Sequence, residues 1–177
     1  MKRTIRNLAI VLITVLTFSS CDDLFNTDIT LDVPFEVTFD VQATPGKGVF
    51  SVVDTIDVLA HPQLAQYTQL IQSITIQDIE VEVLSLTPDT IVLQSFNVNA
   101  SAGSLTPAAW SYTNEVLTFG RIINLDNTNN QLTNAQAIFM SQVPIAINLN
   151  GVVDAETAQF TVKVTFNSEV VVSPLGN

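Results

Sequence analysis

From Ile29 to Val41 every second residue is apolar: Ile29, Leu31, Val33, Phe35, Val37, Phe39 and Val41 alternate with polar residues and Pro34. A period of two places the apolar set on one side of an extended chain, so the run predicts a half-buried strand or a broken pair of strands. Pro34 cannot donate to a ladder, which points to an edge strand or a bend. The alternation recurs along the chain. Strands are predicted at 49–58, after the turn TPGKG at 44–48, and at 76–86, where Ile79, Val81 and Val83 alternate with Glu80 and Glu82. Further strands are predicted at 91–98, after the turn TPDT, at 115–125, at 143–149 and at 160–166.

One stretch changes period. Leu64, Tyr67, Ile71 and Ile74 recur at helical spacing and Pro62 suits a first helical turn, predicting a short amphipathic helix over about 62–73. A second helix is expected near 133–141, and Ala100 to Ala109 reads as a loop. About seven strands with one or two short helices predict an all-β domain. The expected architecture is an antiparallel β-sandwich of the immunoglobulin-like or jelly-roll type, with a lipocalin-like up-and-down barrel as the alternative.

The N-terminus reads as an address. Lys2, Arg3 and Arg6 precede the uncharged stretch Leu8–Phe18, the arrangement of a secretory signal peptide, and the stretch is shorter than the roughly 20 residues that span a bilayer. Ser19-Ser20-Cys21 follows, and Cys21 is the only cysteine. The triplet resembles the lipobox of bacterial lipoproteins, in relaxed form, since Phe18 stands where Leu is usual. The resemblance implies that Cys21 is acylated and becomes the mature N-terminus; the alternative is a free thiol beside an ordinary cleavage site. Asp22 and Asp23 resemble the acidic export signal that carries lipoproteins of the Bacteroidota to the outer face of the outer membrane. The order of turn, strand, helix and strand from 44 to 83 is similar to that of uncharacterised lipoproteins of that phylum, a likeness that implies no active site. The expected organisation is a lipoprotein signal peptide at 1–20, the lipidated cysteine and tether at 21–28, and a single β-sandwich domain at 29–177.

Removing residues 1–20 takes three of the six basic residues and none of the 17 acidic ones, leaving Lys47, Arg121 and Lys163 and a net charge of 3 − 17 = −14. Such a surface repels phosphate backbones, which excludes nucleic acid as a partner. One cysteine permits no disulfide framework, so a hydrophobic core must hold the domain.

Little catalytic chemistry is visible. His61, the only histidine, precedes Pro62 at a helix entrance; no Gly-x-Ser-x-Gly elbow or phosphate loop occurs. Most carboxylates occupy either a turn or the polar side of alternating strands (Asp32, Glu36, Asp40, Glu80, Glu82), as a solvated sheet face does. Asp126, Thr128 and Asn130 begin like an EF-hand loop, but Gln131 replaces its glycine and Ala137 its bidentate glutamate, so no metal site is assigned. Trp110 and Tyr112 share one strand face: exposed, they would stack a sugar ring; buried, they join the core. Arg121 has the inward parity of Leu117, Phe119 and Ile123, so either Gly120 turns it out, a carboxylate meets it inside, or, third, it binds a ligand. Asp54-Thr55-Ile56 and Asp89-Thr90-Ile91 resemble the O-glycosylation signal of exported Bacteroidota proteins, which makes Thr55 and Thr90 candidate sites.

The sequence therefore predicts a non-enzymatic domain, without cofactor, held at the outer membrane by a lipid anchor on Cys21 and exposed at the cell surface. It would bind a glycan or a partner protein of the envelope. The alternative is a structural accessory subunit lending sheet edges to a neighbour, and a carboxylate-based glycan hydrolase comes third.

Overall fold

A computed structural model describes residues 27–155 and 157–173. The signal peptide, Cys21, Asp22 and Asp23 lie outside the described residues. The strands are β1 (Ile29–Gln42), β2 (Val49–Ile56), β3 (Ile71–Thr87), β4 (Thr90–Ser101), β5 (Ala108–Tyr112), β6 (Glu115–Thr118), β7 (Ile122–Asn124), β8 (Ile145–Val153) and β9 (Gln159–Val172). Among the described residues one α-helix, α1 (Gln131–Met140), stands between β7 and β8, after a 3-10 turn at Thr128–Asn130.

All pairing is antiparallel. One sheet has the order β1-β9-β3-β7 and the other β2-β8-β4-β5, with β6 also paired to β4. β5 covers Phe96–Ala100 of β4 and β6 covers Thr90–Leu93, so the two form one edge strand interrupted near Asn114, which has a positive φ of 59°. Every connection except those among β4, β5 and β6 crosses from one sheet to the other. This is the double-sheet, Greek-key arrangement of a jelly roll, which decides against both the immunoglobulin-like order and the closed barrel.

The alternating residues do what their period dictates. Val33, Phe35, Val37, Phe39 and Val41 of β1 are buried against the other sheet, and β1 is an edge strand, as Pro34 requires. Fully burying each such side chain contributes about 1.5–3 kcal/mol. The α1 residues Ala135, Ile138 and Phe139 are buried too; the Phe139 ring lies 5.0 Å from that of Phe35 and 4.9 Å from that of Phe166. Ile29 pairs with Val172, which puts the tether end of the domain beside its last strand.

Three expectations are corrected. Residues 62–70 form successive tight turns rather than a helix: Leu64 N–H donates to His61 O, Tyr67 N–H to Leu64 O and Leu70 N–H to Tyr67 O, at 2.8–2.9 Å. Of the residues whose helical spacing predicts a helix, Leu64 and Tyr67 lie in these turns, while Ile71 and Ile74 pair with β9 in β3. The expected strand 115–125 breaks at Gly120 (φ 73°) into β6 and β7, which belong to different sheets. The expected loop 100–109 holds the end of β4 and the start of β5.

Candidate functional site

The two sheets turn opposite kinds of surface to solvent. Outward positions of β1, β9 and β3 carry Asp32, Glu36, Asp40, Glu169, Asp78, Glu80 and Glu82, with Lys163 as the cation among them. Lys163 sits on the central strand, its Nζ 3.2 Å from Glu82 and 3.4 Å from Glu36, bridging all three strands. The hydrogen bond to Glu82 and the charge of Glu36 hold its ammonium above the usual lysine range. Two of the other acids are engaged by neutral groups: Thr161 Oγ1 donates to Asp40 (2.8 Å) and Asn167 Nδ2 to Asp78 (2.6 Å). Asp32 and Asp78 flank a shallow cavity of about 240 Å³. This is the solvated acidic face that the alternation predicts.

The outward positions of β2, β8, β4 and β5 carry no charge. In their place stand Ser51 and Val53, Asn148 and Asn150, Asn97 and Asn99, and Ser111, brought side by side by the register that pairs Ser51 with Asn150, Asn150 with Asn97, and Asn97 with Ser111. A hydrogen-bonded row results. Ser111 Oγ donates to Asn97 Oδ1 (2.7 Å), Asn97 Nδ2 to Asn150 Oδ1 (3.1 Å), and Asn150 Nδ2 to Asn148 Oδ1 (2.8 Å). Each carboxamide has two donor hydrogens and two acceptor sites, so the row uses only part of its capacity, and Asn99 makes no side-chain hydrogen bond among the described residues. Asparagine is depleted from strands. Four of them at the centre of one sheet therefore work against local preference. The only signal of this group in the sequence is the pair of segments Asn97-Val98-Asn99 and Asn148-Leu149-Asn150, each running one residue past the end of an expected strand.

Gly151 holds this face together. A Cβ there would collide with the Ser95 carbonyl and come within 2.8 Å of Phe50 Cζ, so only glycine lets β4 and β8 approach where β4 bulges between Leu93 and Ser95.

Trp110 and Tyr112 do lie on one face, but not as a stacking platform. Trp110 is 3% exposed and its Nε1–H donates to the Asp126 carbonyl (2.7 Å). The Tyr112 hydroxyl donates to Asn124 O and accepts from the Asp126 N–H, and burial pushes its phenol above the usual tyrosine range. Both rings hold the segment 124–126 against β5, beside a cavity of about 260 Å³. Their aromatic character serves packing. The Asn-rich loop is likewise structural: Asp126 Oδ1 accepts the Thr128 N–H, and Asn127 Oδ1 accepts the Leu132 N–H at the start of α1.

The Gly120 corner turns Arg121 outward, where it meets Glu115 at 3.5 Å on the surface. His61 packs its ring edge-to-face on Phe35, centroids 5.2 Å apart. Thr55 and Thr90 are both exposed, the first on β2 and the second at the start of β4. Among the described residues no group of three or more His, Cys, Asp or Glu side chains is arranged to hold a metal ion, and no helix is long and apolar enough to cross a membrane.

No known family profile and no curated protein matches the chain. Among solved structures it is similar to Desmodium yellow mottle tymovirus, at 13% identity and a TM-score of 0.44 over 86% of this chain and 92% of that one. It is also similar to the decameric BFDV capsid protein (10%, 0.44, 81% and 99%) and to turnip yellow mosaic virus (11%, 0.40, 84% and 83%). Likenesses this distant say nothing of what the chain binds.

Proposed function

We propose that this chain is a lipid-anchored, non-enzymatic domain of the outer membrane, displayed at the cell surface, which binds a neutral glycan through the carboxamide face of the β2-β8-β4-β5 sheet. The observation that carries this reading is the uncharged row Ser111–Asn97–Asn150–Asn148 on an otherwise acidic protein. Carboxamides both donate and accept, which suits sugar hydroxyls, and their partly used capacity leaves groups free for a ligand. A mature charge of −14 disfavours acidic polymers, so the fitting ligand is an uncharged one. Cys21 after Ser19-Ser20 supports the anchor, and Asp22 and Asp23 support display; two or more acyl chains hold a protein stably on a bilayer.

Two experiments test the parts separately. Protease added to intact cells should cleave the wild type and spare Asp22→Ala/Asp23→Ala; protection of both would confine the protein to the periplasmic side. Affinity electrophoresis of the full chain should show retardation in gels containing neutral polysaccharide and none in gels containing an acidic one. Equal mobility in both would remove glycan binding.

A further inference from the structure

The four sheet edges are treated unequally. β1 carries Pro34 and outward Asp32, Glu36 and Asp40, features that discourage a further strand. β7 has only three residues. The β5–β6 edge is broken at Asn114 and capped by α1 and the residues around it: Gln131 Oε1 accepts the Ala109 N–H (2.7 Å) and Asn134 Nδ2 donates to Pro107 O (3.4 Å). β2 has none of these devices. Its eight residues, VFSVVDTI, are β-prone, free of proline and bulge, and carry one charge.

The phase of the ladder shows what this edge offers. Val153 N–H donates to the Gly48 carbonyl at 2.9 Å. In the antiparallel pairs that follow, Phe50, Val52, Asp54 and Ile56 therefore turn their backbone groups toward β8, and Val49, Ser51, Val53 and Thr55 turn theirs outward. Two outward groups are occupied: Val49 O accepts the Thr44 N–H (2.8 Å), and Thr55 N–H meets Asp54 Oδ1 (2.7 Å). The N–H and C=O groups of Ser51 and Val53 have no partner among the described residues, and the Val53 side chain is 60% exposed.

We infer that β2 joins the β2 of a second copy, antiparallel, about a two-fold axis at Val52. In this register Ser51 faces Val53 of the second copy, and the two pairs exchange the backbone bonds that are otherwise unmade. Asp54 then lies opposite Phe50, not opposite another Asp54, so no like charges meet. A strand that pairs with itself is the self-complementary patch a two-fold dimer requires. Charge favours a second copy here over contact elsewhere, because β2 belongs to the sheet whose outward positions carry no charge, while the acidic face repels its own kind. The inference does not depend on the glycan reading, although joined sheets would double the carboxamide face.

The test is sedimentation of the full chain in detergent micelles over a range of concentrations. The wild type should dimerise, and Val53→Lys and Ser51→Lys should each weaken dimerisation by roughly tenfold or more. Thr30→Lys, on the edge strand β1 opposite Val171, should leave it unchanged. All variants should melt close to the wild type, since each position is exposed. A wild type that stays monomeric throughout, or a dimer that survives both β2 variants, would overturn the inference.

Discussion

The outer faces of the two sheets are built to the same plan and reach opposite results. Each central strand, β9 in one sheet and β8 in the other, alternates buried apolar residues with outward polar ones. On β9 and its neighbours the polar positions hold carboxylates around a single ammonium; on β8 and its neighbours they hold carboxamides bonded to one another. Ionised carboxylates accept hydrogen bonds and cannot donate, so they repel one another and are best left to water. Carboxamides do both and can form a continuous row. The same alternation thus gives one face of repelling charges and another of mutually bonded amides, and the difference lies in side-chain chemistry, not in backbone.

The comparison can be broken hardest at Gly151. Gly151→Ala forces β8 away from β4 and parts Asn150 from Asn97, and should cost about 3 kcal/mol in urea unfolding, with the acidic sheet's pairing retained in hydrogen exchange. Trp110→Phe tests the edge of the neutral sheet. It leaves the Asp126 carbonyl without its indole donor and should cost about 1–2 kcal/mol by the same measurement.

Lys163→Met sharpens the contrast from the other side. Its ion pairs are partly exposed and screened, so the loss should stay under about 1 kcal/mol and shrink in high salt. The pH dependence has a definite sign. A lysine whose pKa is raised in the folded state contributes fully below its unfolded pKa of 10.5, and the contribution disappears as pH rises through the folded value. Wild type and Lys163→Met should therefore converge in thermal stability only in strongly alkaline buffer.

Much of this was legible in the residues. The run from Ile29 to Val41 announced β1, its buried face and its edge position, because period and proline act locally. The turns at 62–70 share the apolar spacing of three and four that a helix shows, and the pairing of Ile71 with Val172, far along the chain, decides between them. The parity of Arg121 points to the break at Gly120, but nothing local to it shows that β6 and β7 part into different sheets. Trp110 had two open fates, and the Asp126 carbonyl selected the buried one. The carboxamide row was invisible for a different reason. Each Asn dyad alone looks like the filler of a polar strand face, and only the register between β4 and β8 makes them one surface.

The most direct measurement is calorimetric titration of the full chain with a neutral polysaccharide, comparing the wild type with Asn97→Ala/Asn148→Ala and with Glu36→Gln/Glu82→Gln. The account predicts that the carboxamide variant loses binding by roughly tenfold or more, about 1.4 kcal/mol, while the carboxylate variant binds as the wild type does. Loss confined to the carboxylate variant, or equal binding by all three, would contradict it.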